Sequence, residues 1–256
     1  MIARLLKLDS CAVSDALDKL GLKGSVTGIE RYSTDRRIAG RVVTVTLAAA
    51  LLKPAPQRKA VAGLPDIHEK ATASCGAEGR SDTRHLCTAA IEAANPGDVI
   101  VVEQRTGIDA ASWGGNLALG AKMRGVAGVI VEGPARDLDD CRKLDFTVYA
   151  RSHTARTARG RIVEIATNEP ITVGDILVTP GDYVLADASA VVFVRASEIE
   201  RVVEAAESIM AREEAMAQAL REGKPISQVM GANYEQMLKS EQGPAASVVR
   251  DPQKRT

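Results

Sequence analysis

The sequence predicts a single α/β domain that ends in a helical arm. Three continuous apolar segments, at 98–103, 128–132 and 146–150, alternate with helical patterns at about 115–124 and 137–144. Apolar runs of this length are typical of strands that are buried on both faces, and a β-α-β-α-β order is typical of a parallel sheet. We therefore expect a mostly parallel sheet in this part of the chain.

The segments before this sheet add helices and one long strand. Residues 2–8 and 10–20 have apolar positions at helical spacing, and Gly21 occupies the place of a glycine that ends a helix. Residues 38–49 are rich in β-branched side chains, which predicts a strand. A further helix is predicted over residues 82–94.

The last third of the chain changes from strands to helices. Short strand-like segments separated by Pro, Gly, Asp and Asn turns fill residues 161–195. Apolar positions at a spacing of about 3.6 predict one long helix over 196–222, and a shorter helix is expected over 225–239. The predicted organisation therefore has three parts, an α/β domain, a C-terminal helical arm and a flexible tail: residues 1–195, 196–241 and 242–256.

Residues 50–81 interrupt this pattern. They are rich in Pro, Gly and charged residues and show no sustained periodicity. A connection of this length inside a compact domain is usually either functional or disordered. Two interpretations stay open, a lid over a binding site and a surface insertion.

Composition excludes several classes of protein. The chain has 33 Lys and Arg against 33 Asp and Glu, so its net charge is zero, which argues against a nucleic-acid-binding protein. We expect no membrane span, because no apolar run reaches the roughly 18 to 20 residues that a span needs. We also expect no signal peptide, because the first residues have no long apolar h-region and are typical of an amphipathic helix pair. The four cysteines are scattered and form no CxxC motif, so we expect a cytoplasmic location.

A glycine loop follows the first buried strand of the predicted parallel sheet. Gly114, Gly115, Asn116 and Leu117 lie where this loop enters a helix. Free amides at a helix N-terminus attract anions, and glycines let a ligand approach the backbone. The loop is a candidate carboxylate site, although paired glycines before a helix are more often simple turns. Phosphate-loop and dinucleotide motifs are absent from the sequence.

A charged pair, Arg136 and Asp137, follows the second buried strand. Ligands bind at the carboxyl ends of strands in open α/β sheets, and neighbouring strands would bring this pair close to the glycine loop. Asp137 could instead cap the next helix, because Asp is a preferred N-cap residue. Arg136 could simply pair with Glu132 or Asp140.

The same two loops carry a resemblance to a known family. The string W-G-G-N-L, followed by A-K-x-R-G-V-A-G-x-[IV]-x-[ED]-G-x-x-R-D, closely resembles the RraA-like superfamily. The segments SDALDKLG, AGRVVTV, NPGDVIVV and PGDYVLAD fit as well, so the similarity covers about 35–230 and the N-terminal helix. The resemblance implies a swivelling β/β/α fold. It also implies class II pyruvate aldolase activity or, as in other members, regulation of ribonuclease E.

The resemblance implies a role for each matching residue. The amides of Gly114 to Leu117 would bind the carboxylate of a pyruvate-like 2-oxo acid, and Arg136 would contact the substrate oxygens. Asp137 would ligate Mg²⁺ (or Mn²⁺) together with water. Glu213, or Glu214 since the register is uncertain, would join the water shell of the metal from a neighbouring subunit. Several aldolases have an acidic residue where this chain has Gly115, which leaves the substrate class and the proton relay open.

The function expected from these residues is a metal-dependent lyase that cleaves a C–C bond next to a 2-oxo acid. Decarboxylation of oxaloacetate passes through the same enolate, so one site could do both. The lysines lie on predicted helices and loops, which disfavours a Schiff-base mechanism. Two alternatives remain, a non-enzymatic regulator that binds a protein such as a ribonuclease, and a sugar-acid lyase or dehydratase. The resemblance implies a homotrimer or hexamer that acts on a small molecule. The regulator lacks the Asp that follows the Arg, so Asp137 favours an enzyme.

Five other residues are weaker candidates. His68, His85 and His153 lack the spacing of metal ligands, although His85 could face the site from a lid. Asp109 precedes the glycine loop and is more often a surface residue than a site residue. Trp113 is the only tryptophan, and we expect it to pack beside the site.

Overall fold

The computed structural model describes residues 1–50 and 85–231. Apart from Ala50, the predicted insertion at 50–81 lies outside the described residues, as do His68 and the tail from Gln242. The described helices are α1 (Ile2–Leu5), α2 (Ser10–Lys19), α3 (Thr88–Ala93), α4 (Gly115–Met123), α5 (Leu138–Lys143), α6 (Ile199–Arg221) and α7 (Ile226–Val229). The described strands are β1 (Ser25–Val26), β2 (Glu30–Arg31), β3 (Ile38–Ala49), β4 (Val99–Glu103), β5 (Gly128–Ala135), β6 (Thr147–His153), β7 (Ile162–Thr167), β8 (Ile171–Val173), β9 (Ile176–Val178), β10 (Tyr183–Ala186) and β11 (Val191–Val194).

Four parallel strands form the centre of the main sheet. They lie in the order β3, β4, β5 and β6, each hydrogen-bonded to the next. Val99 of β4 is level with Gly128 of β5, and Gly128 is level with Thr147 of β6. The carboxyl ends of β4 and β5 therefore lie side by side. The predicted parallel arrangement of β4, β5 and β6 is confirmed.

Antiparallel strands extend the sheet on both sides. Strand β10 pairs with the first residues of β3, followed outwards by β11 and β1, and β2 pairs with β6 at the other end. Strand β7 runs antiparallel to the second half of β3, where the register shifts between Thr46 and Leu47. Strands β8 and β9 form a separate hairpin. All four strand-rich segments predicted after residue 160 are thus strands.

Three hydrophobic clusters hold the layers together. Helices α3, α4 and α5 pack on one face of the parallel strands, around Ile100, Val102 and Val131. The hairpin of β8 and β9 packs on the opposite face, against Val101 and Ile130. Helices α1, α2 and α6 pack separately on β10 and β11. The loops at the carboxyl ends of β4 and β5 therefore emerge above the first cluster.

The long C-terminal helix α6 packs only through its first half. Its buried side chains end at Ile209, which is 1% exposed, whereas Leu220 is 37% exposed. The predicted span of 196–222 is close to the observed bounds. Of the second predicted helix, 225–239, the described part is helical over Ile226–Val229 and ends at Met230, and residues 232–239 lie outside the described residues. Within the described ranges, no helix combines the length and the apolar character that crossing a membrane requires.

We predict that Ile209→Ala lowers the free energy of unfolding by about 2–5 kcal/mol, because it opens a cavity between α6 and α2. Leu220→Ala is the matched control on the same helix, and its effect should stay within roughly 0.5 kcal/mol. Urea unfolding followed by circular dichroism measures both. Equal effects of the two substitutions would contradict the packing described for α6.

Candidate active site

The loop that follows β4 returns along the end of β5. The Ser112 N–H donates to the Pro134 carbonyl at 3.0 Å, and Trp113 forms a parallel bridge with Ala135. The Arg136 N–H then donates to the Trp113 carbonyl at 2.9 Å. The loop after β4 therefore pairs with the end of β5. This pairing brings Gly114 and Gly115 close to Arg136 and Asp137.

Two glycines bring the backbone of this loop against an acidic side chain. The Gly115 N–H donates to Asp137 Oδ2 at 3.1 Å. A Cβ atom on Gly114 would lie 2.7 Å from the same oxygen and 3.2 Å from Arg136 Nε. Contacts under 3.0 Å are essentially never made by real Cβ atoms, so Gly114 cannot be replaced without moving Asp137. The structure thus brings the predicted glycine loop and the predicted charged pair together.

Asp137 does not cap the helix that follows it. Its backbone is left-handed, with φ of 54°, and its side chain accepts no capping hydrogen bond from α5. Asp tolerates this conformation better than most residues, at some cost in strain. Because the carboxylate points to Gly115 instead, the capping alternative is wrong.

Arg136 pairs with its own neighbour. Its Nε lies 3.3 Å from Asp137 Oδ2, and both side chains are between a third and two fifths exposed. The two alternative partners are engaged elsewhere: Glu132 pairs with Arg151 at 3.0 Å, and Asp140 with Lys143 at 3.2 Å. The guanidinium is therefore held beside the carboxylate at the protein surface, where it can donate to a ligand.

The first turn of α4 offers amides to an anion. The Ala118 N–H bonds to the Gly114 carbonyl and closes the first helical turn, while the Gly115 amide is taken by Asp137. The amides of Asn116 and Leu117 lie in the first turn, ahead of any intrahelical acceptor. The predicted carboxylate site thus has fewer free amides than expected, because the Gly115 amide already donates to Asp137.

A small cavity lies between these groups. It has a volume of about 80 Å³, and its walls include Gly114, Asn116, Arg136 and Asp137. Trp113 also lines it, is 1% exposed and stacks on Phe146 with a centroid separation of 6.1 Å. The cavity therefore combines backbone amides, the guanidinium of Arg136 and the carboxylate of Asp137 beside a buried tryptophan.

Family membership follows from a match over most of the chain. The model of the RraA-like family, described as Aldolase/RraA, matches residues 10–193. The chain belongs to the RraA-like family. Both loops of the candidate site lie inside this range, as do the strands of the sheet up to the last residue of β11.

This chain matches only part of the length of its named relatives. Protein DlpA of Legionella pneumophila is 23% identical over 89% of this chain and 33% of its own length. A protein of Halalkalibacterium halodurans named "Putative 4-hydroxy-4-methyl-2-oxoglutarate aldolase" is 33% identical over 50% of this chain and 60% of its own length. The matched stretch is therefore less than two thirds of either relative.

Solved structures agree on the fold of the RraA-like family. An uncharacterized protein from Pseudomonas syringae has a TM-score of 0.71 at 23% identity, covering 90% of this chain and 96% of its own. RraAS2 of Streptomyces coelicolor, described as an unusual member of the RNase ES inhibitor RraA protein family, has a TM-score of 0.65 at 23% identity, covering 83% and 93%. The predicted α/β fold of the RraA-like type is thereby confirmed.

The other predicted site residues of this RraA-like chain lie apart from the cavity. Glu213 sits in the layer of α2 and α6, where burial and the nearby charges of Asp9 and Asp15 raise the pKa of its carboxyl. Glu214 pairs with Arg221 at 2.9 Å. A contribution of either Glu to the site of the same subunit is not supported, and a contribution to a neighbouring subunit stays a prediction.

Two weaker candidates prove to be surface residues. Asp109 forms an exposed ion pair with Arg156 at 3.4 Å. His153 packs edge-on against the ring of Tyr32, with a centroid separation of 5.3 Å. Neither residue lines the small cavity. Trp113, by contrast, packs beside the site as predicted.

The sequence does not predict the part of the cavity wall that comes from the segment between β6 and β7. Thr157 and Ala158 line the cavity, because Thr157 forms a parallel bridge with Ala111 just before the glycine loop. His85 and Leu86 line it from the other side. No motif marks Thr157 or Ala158, since both are small, ordinary residues placed by long-range packing. The one sequence signal for His85 is its position shortly after the insertion at 50–81.

Two cysteines lie beneath the site and remain thiols at neutral pH. Burial, together with the nearby carboxylates of Asp137 and Asp140, raises the pKa of Cys141 to about 11. Burial also raises the pKa of Cys87, whose sulfur is 3.7 Å from the Ser112 carbonyl. A thiol needs to ionise before it acts as a nucleophile, so neither cysteine suits that role.

We predict that Gly114→Ala weakens the binding of oxalate in the presence of Mg²⁺ by about tenfold or more, roughly 1.4 kcal/mol. The added Cβ would displace Asp137 Oδ2 and Arg136, as the 2.7 and 3.2 Å contacts require. Gly120→Ala on α4 is the matched control, because its Cβ would meet nothing closer than 4.0 Å. Isothermal calorimetry measures the affinity, and unchanged binding by the Gly114 variant would contradict the assignment.

Proposed function

We propose that this protein is a divalent-metal-dependent lyase that cleaves a C–C bond next to a 2-oxo acid, as class II pyruvate aldolases do. The observation that carries the proposal is the contact of the glycine loop with the Arg136–Asp137 pair at the edge of one small cavity. The names of several relatives support aldolase activity. The matching family, described as Aldolase/RraA, is consistent with it.

The cavity suits the head group of a small 2-oxo acid. A cavity needs about 10–15 Å³ to hold one water molecule. A cavity of about 80 Å³ therefore holds roughly five to eight heavy atoms. Pyruvate falls within this range. The amides of Asn116 and Leu117 would bind its carboxylate, because a helix N-terminus carries partial positive charge. Arg136 would donate to the keto oxygen.

The acidic groups at the site fit a hard cation that keeps much of its water. Asp137 supplies a carboxylate, and Asp140 Oδ2 would be 3.5 Å from a Cβ on Gly115. Among residues 1–50 and 85–231 there is no group of three or more His, Cys, Asp or Glu that could enclose a metal. Mg²⁺ is typically held by one or two carboxylates and waters, which is the donor set available here. When bound, it would supply Lewis-acid stabilisation of negative charge.

The proposed cleavage leaves an enolate, whose oxygen Arg136 would stabilise. The substrate loses the proton of its 4-hydroxyl, the C3–C4 bond breaks, and an aldehyde or ketone departs. The electron pair of that bond stays on the pyruvoyl fragment as an enolate, which gains a proton at C3 to become pyruvate. Arg136 would hold the enolate oxygen through its planar donors. Loss of CO₂ from oxaloacetate leaves the same enolate, so decarboxylation is expected from the same groups.

Removal of the metal tests this function directly. We predict that pyruvate release from 4-hydroxy-4-methyl-2-oxoglutarate or oxaloacetate stops in EDTA and returns on adding Mg²⁺. Asp137→Ala should abolish release with the fold intact, and Asp139→Ala is the control, because Asp139 pairs with Arg142 on the outer face of α5. A coupled lactate dehydrogenase assay measures pyruvate. Metal-independent release, or full activity of the Asp137 variant, would contradict the proposal.

The geometry of the arginine gives a second prediction. We expect Arg136→Lys to lose most of the activity, because an ammonium group lacks the planar pair of donors. Arg142→Lys is a suitable control, since its guanidinium binds Asp139 and the Tyr32 carbonyl away from the cavity. Steady-state kinetics should give a lower kcat for the Arg136 variant alone. Equal kcat values for the two variants would argue against an oxyanion-binding role.

A further inference from the structure

His85 lies in the wall of the same small cavity as the glycine loop and the Arg136–Asp137 pair. A cavity of about 80 Å³ accommodates roughly five to eight heavy atoms. A molecule of that size that fills the cavity contacts its walls on every side, including the wall that His85 forms. The structure therefore brings a histidine, an arginine and an aspartate to one small ligand.

The imidazole ring of His85 is oriented by the backbone beside it. Its Nδ1 lies 3.1 Å from the Leu86 carbonyl oxygen. A carbonyl oxygen only accepts hydrogen bonds, so Nδ1 carries the hydrogen of the neutral ring and the available lone pair is on Nε2. The backbone here is held in turn, because the Thr88 hydroxyl and N–H donate to the His85 carbonyl at 2.7 and 3.3 Å. A neutral ring with its lone pair on Nε2 is the form in which histidine accepts a proton.

The other groups at the cavity bind the head of the substrate under the proposed function. The first turn of α4 would bind the carboxylate, and Arg136, with a cation beside Asp137, would bind the keto oxygen. Carbon C3 and the 4-hydroxyl of the substrate would then face the remaining wall. That wall consists of His85, Leu86, Ala111, Ser112, Thr157 and Ala158.

Among the described residues of this remaining wall, only His85 has a side chain suited to proton transfer at neutral pH. Three of the others are aliphatic, and Ser112 and Thr157 have hydroxyl groups. The Ser112 hydroxyl donates to the Pro134 carbonyl at 3.4 Å. A neutral hydroxyl does not take up a proton in water near pH 7, whereas histidine ordinarily changes its charge between about pH 5 and 8. The cleavage needs such a group, because the 4-hydroxyl has to lose its proton.

We propose that His85 is the catalytic residue that moves this proton. The assignment rests on the proposed lyase function. Nε2 takes the proton of the 4-hydroxyl, the C3–C4 bond breaks, and its electron pair stays on the pyruvoyl fragment as the enolate. The carbonyl product leaves, and the same nitrogen returns the proton to C3, so the ring ends in its starting form. Oxaloacetate has no such hydroxyl proton, and water can protonate the enolate that its decarboxylation leaves.

His85→Gln tests this assignment, because glutamine keeps a hydrogen-bond donor but accepts no proton at neutral pH. With Mg²⁺ present, kcat for cleavage of 4-hydroxy-4-methyl-2-oxoglutarate should fall by about 10²–10⁴-fold, the usual contribution of proton transfer by a positioned side chain. Decarboxylation of oxaloacetate should fall far less. His153→Gln is the matched control and should leave both rates unchanged, because His153 packs against Tyr32 outside the cavity.

Proton exchange into pyruvate separates proton transfer from a structural role. In D₂O with Mg²⁺, the protein should replace the methyl hydrogens of pyruvate by deuterium, since this step reverses the return of the proton to C3. NMR spectroscopy follows the loss of the methyl signal. Exchange should be lost in His85→Gln and His85→Ala, and free imidazole should restore part of it in His85→Ala. The Kd of oxalate, measured by calorimetry with Mg²⁺, should be the same for these variants and the unmodified protein.

The outcomes separate the role of His85 from the proposed function. Full cleavage by His85→Gln, equal loss of cleavage and decarboxylation, weaker oxalate binding, or no rescue by imidazole would overturn the role and leave the lyase function standing. Decarboxylation without cleavage by the unmodified protein would also overturn it. If the unmodified protein catalyses neither reaction with Mg²⁺, both the lyase function and the role of His85 are wrong.

Discussion

The absence of a Cβ atom at Gly114 is the constraint on which the candidate site depends. Only a glycine lets the backbone pass within contact of both Asp137 and Arg136, since an added Cβ would lie 2.7 Å from the carboxylate oxygen. The Gly115 amide can then reach the same oxygen at 3.1 Å. The parallel register of β4 and β5 brings the two loops to one edge of the sheet, and the glycines let them touch.

The sequence predicted this part of the molecule because its signals are local. Buried strands such as Val99–Glu103 are continuous apolar runs, and a parallel sheet follows from their alternation with helices. Neighbouring parallel strands have neighbouring carboxyl ends, so the proximity of the glycine loop to Arg136 could be inferred without coordinates. The capping alternative for Asp137 failed because residue preference at a helix start does not reveal the backbone angle, which is left-handed here.

The remaining walls could not be predicted, because they depend on contacts between distant segments. Thr157 and Ala158 reach the cavity through the pairing of Thr157 with Ala111, 46 positions earlier in the chain. The position of β7 likewise depends on its pairing with the second half of β3, which includes a register shift. Periodicity predicts which residues are strands, but it does not give the partner or the register of an irregular pairing.

Under the proposed function, the charge balance of the site gives a physical reason for a cation to accompany an acidic substrate. Arg136 and Asp137 neutralise each other at 3.3 Å, and Asp140 is balanced by Lys143. A 2-oxo acid brings at least one negative charge, and its enolate brings a second, against which the first turn of α4 offers only partial positive charge. A divalent cation beside Asp137 would restore the balance and would weaken the hold of Asp137 on Arg136. The guanidinium could then turn its donors to the substrate oxygens, so that in the proposed mechanism binding of a metal would be coupled to recognition of the substrate.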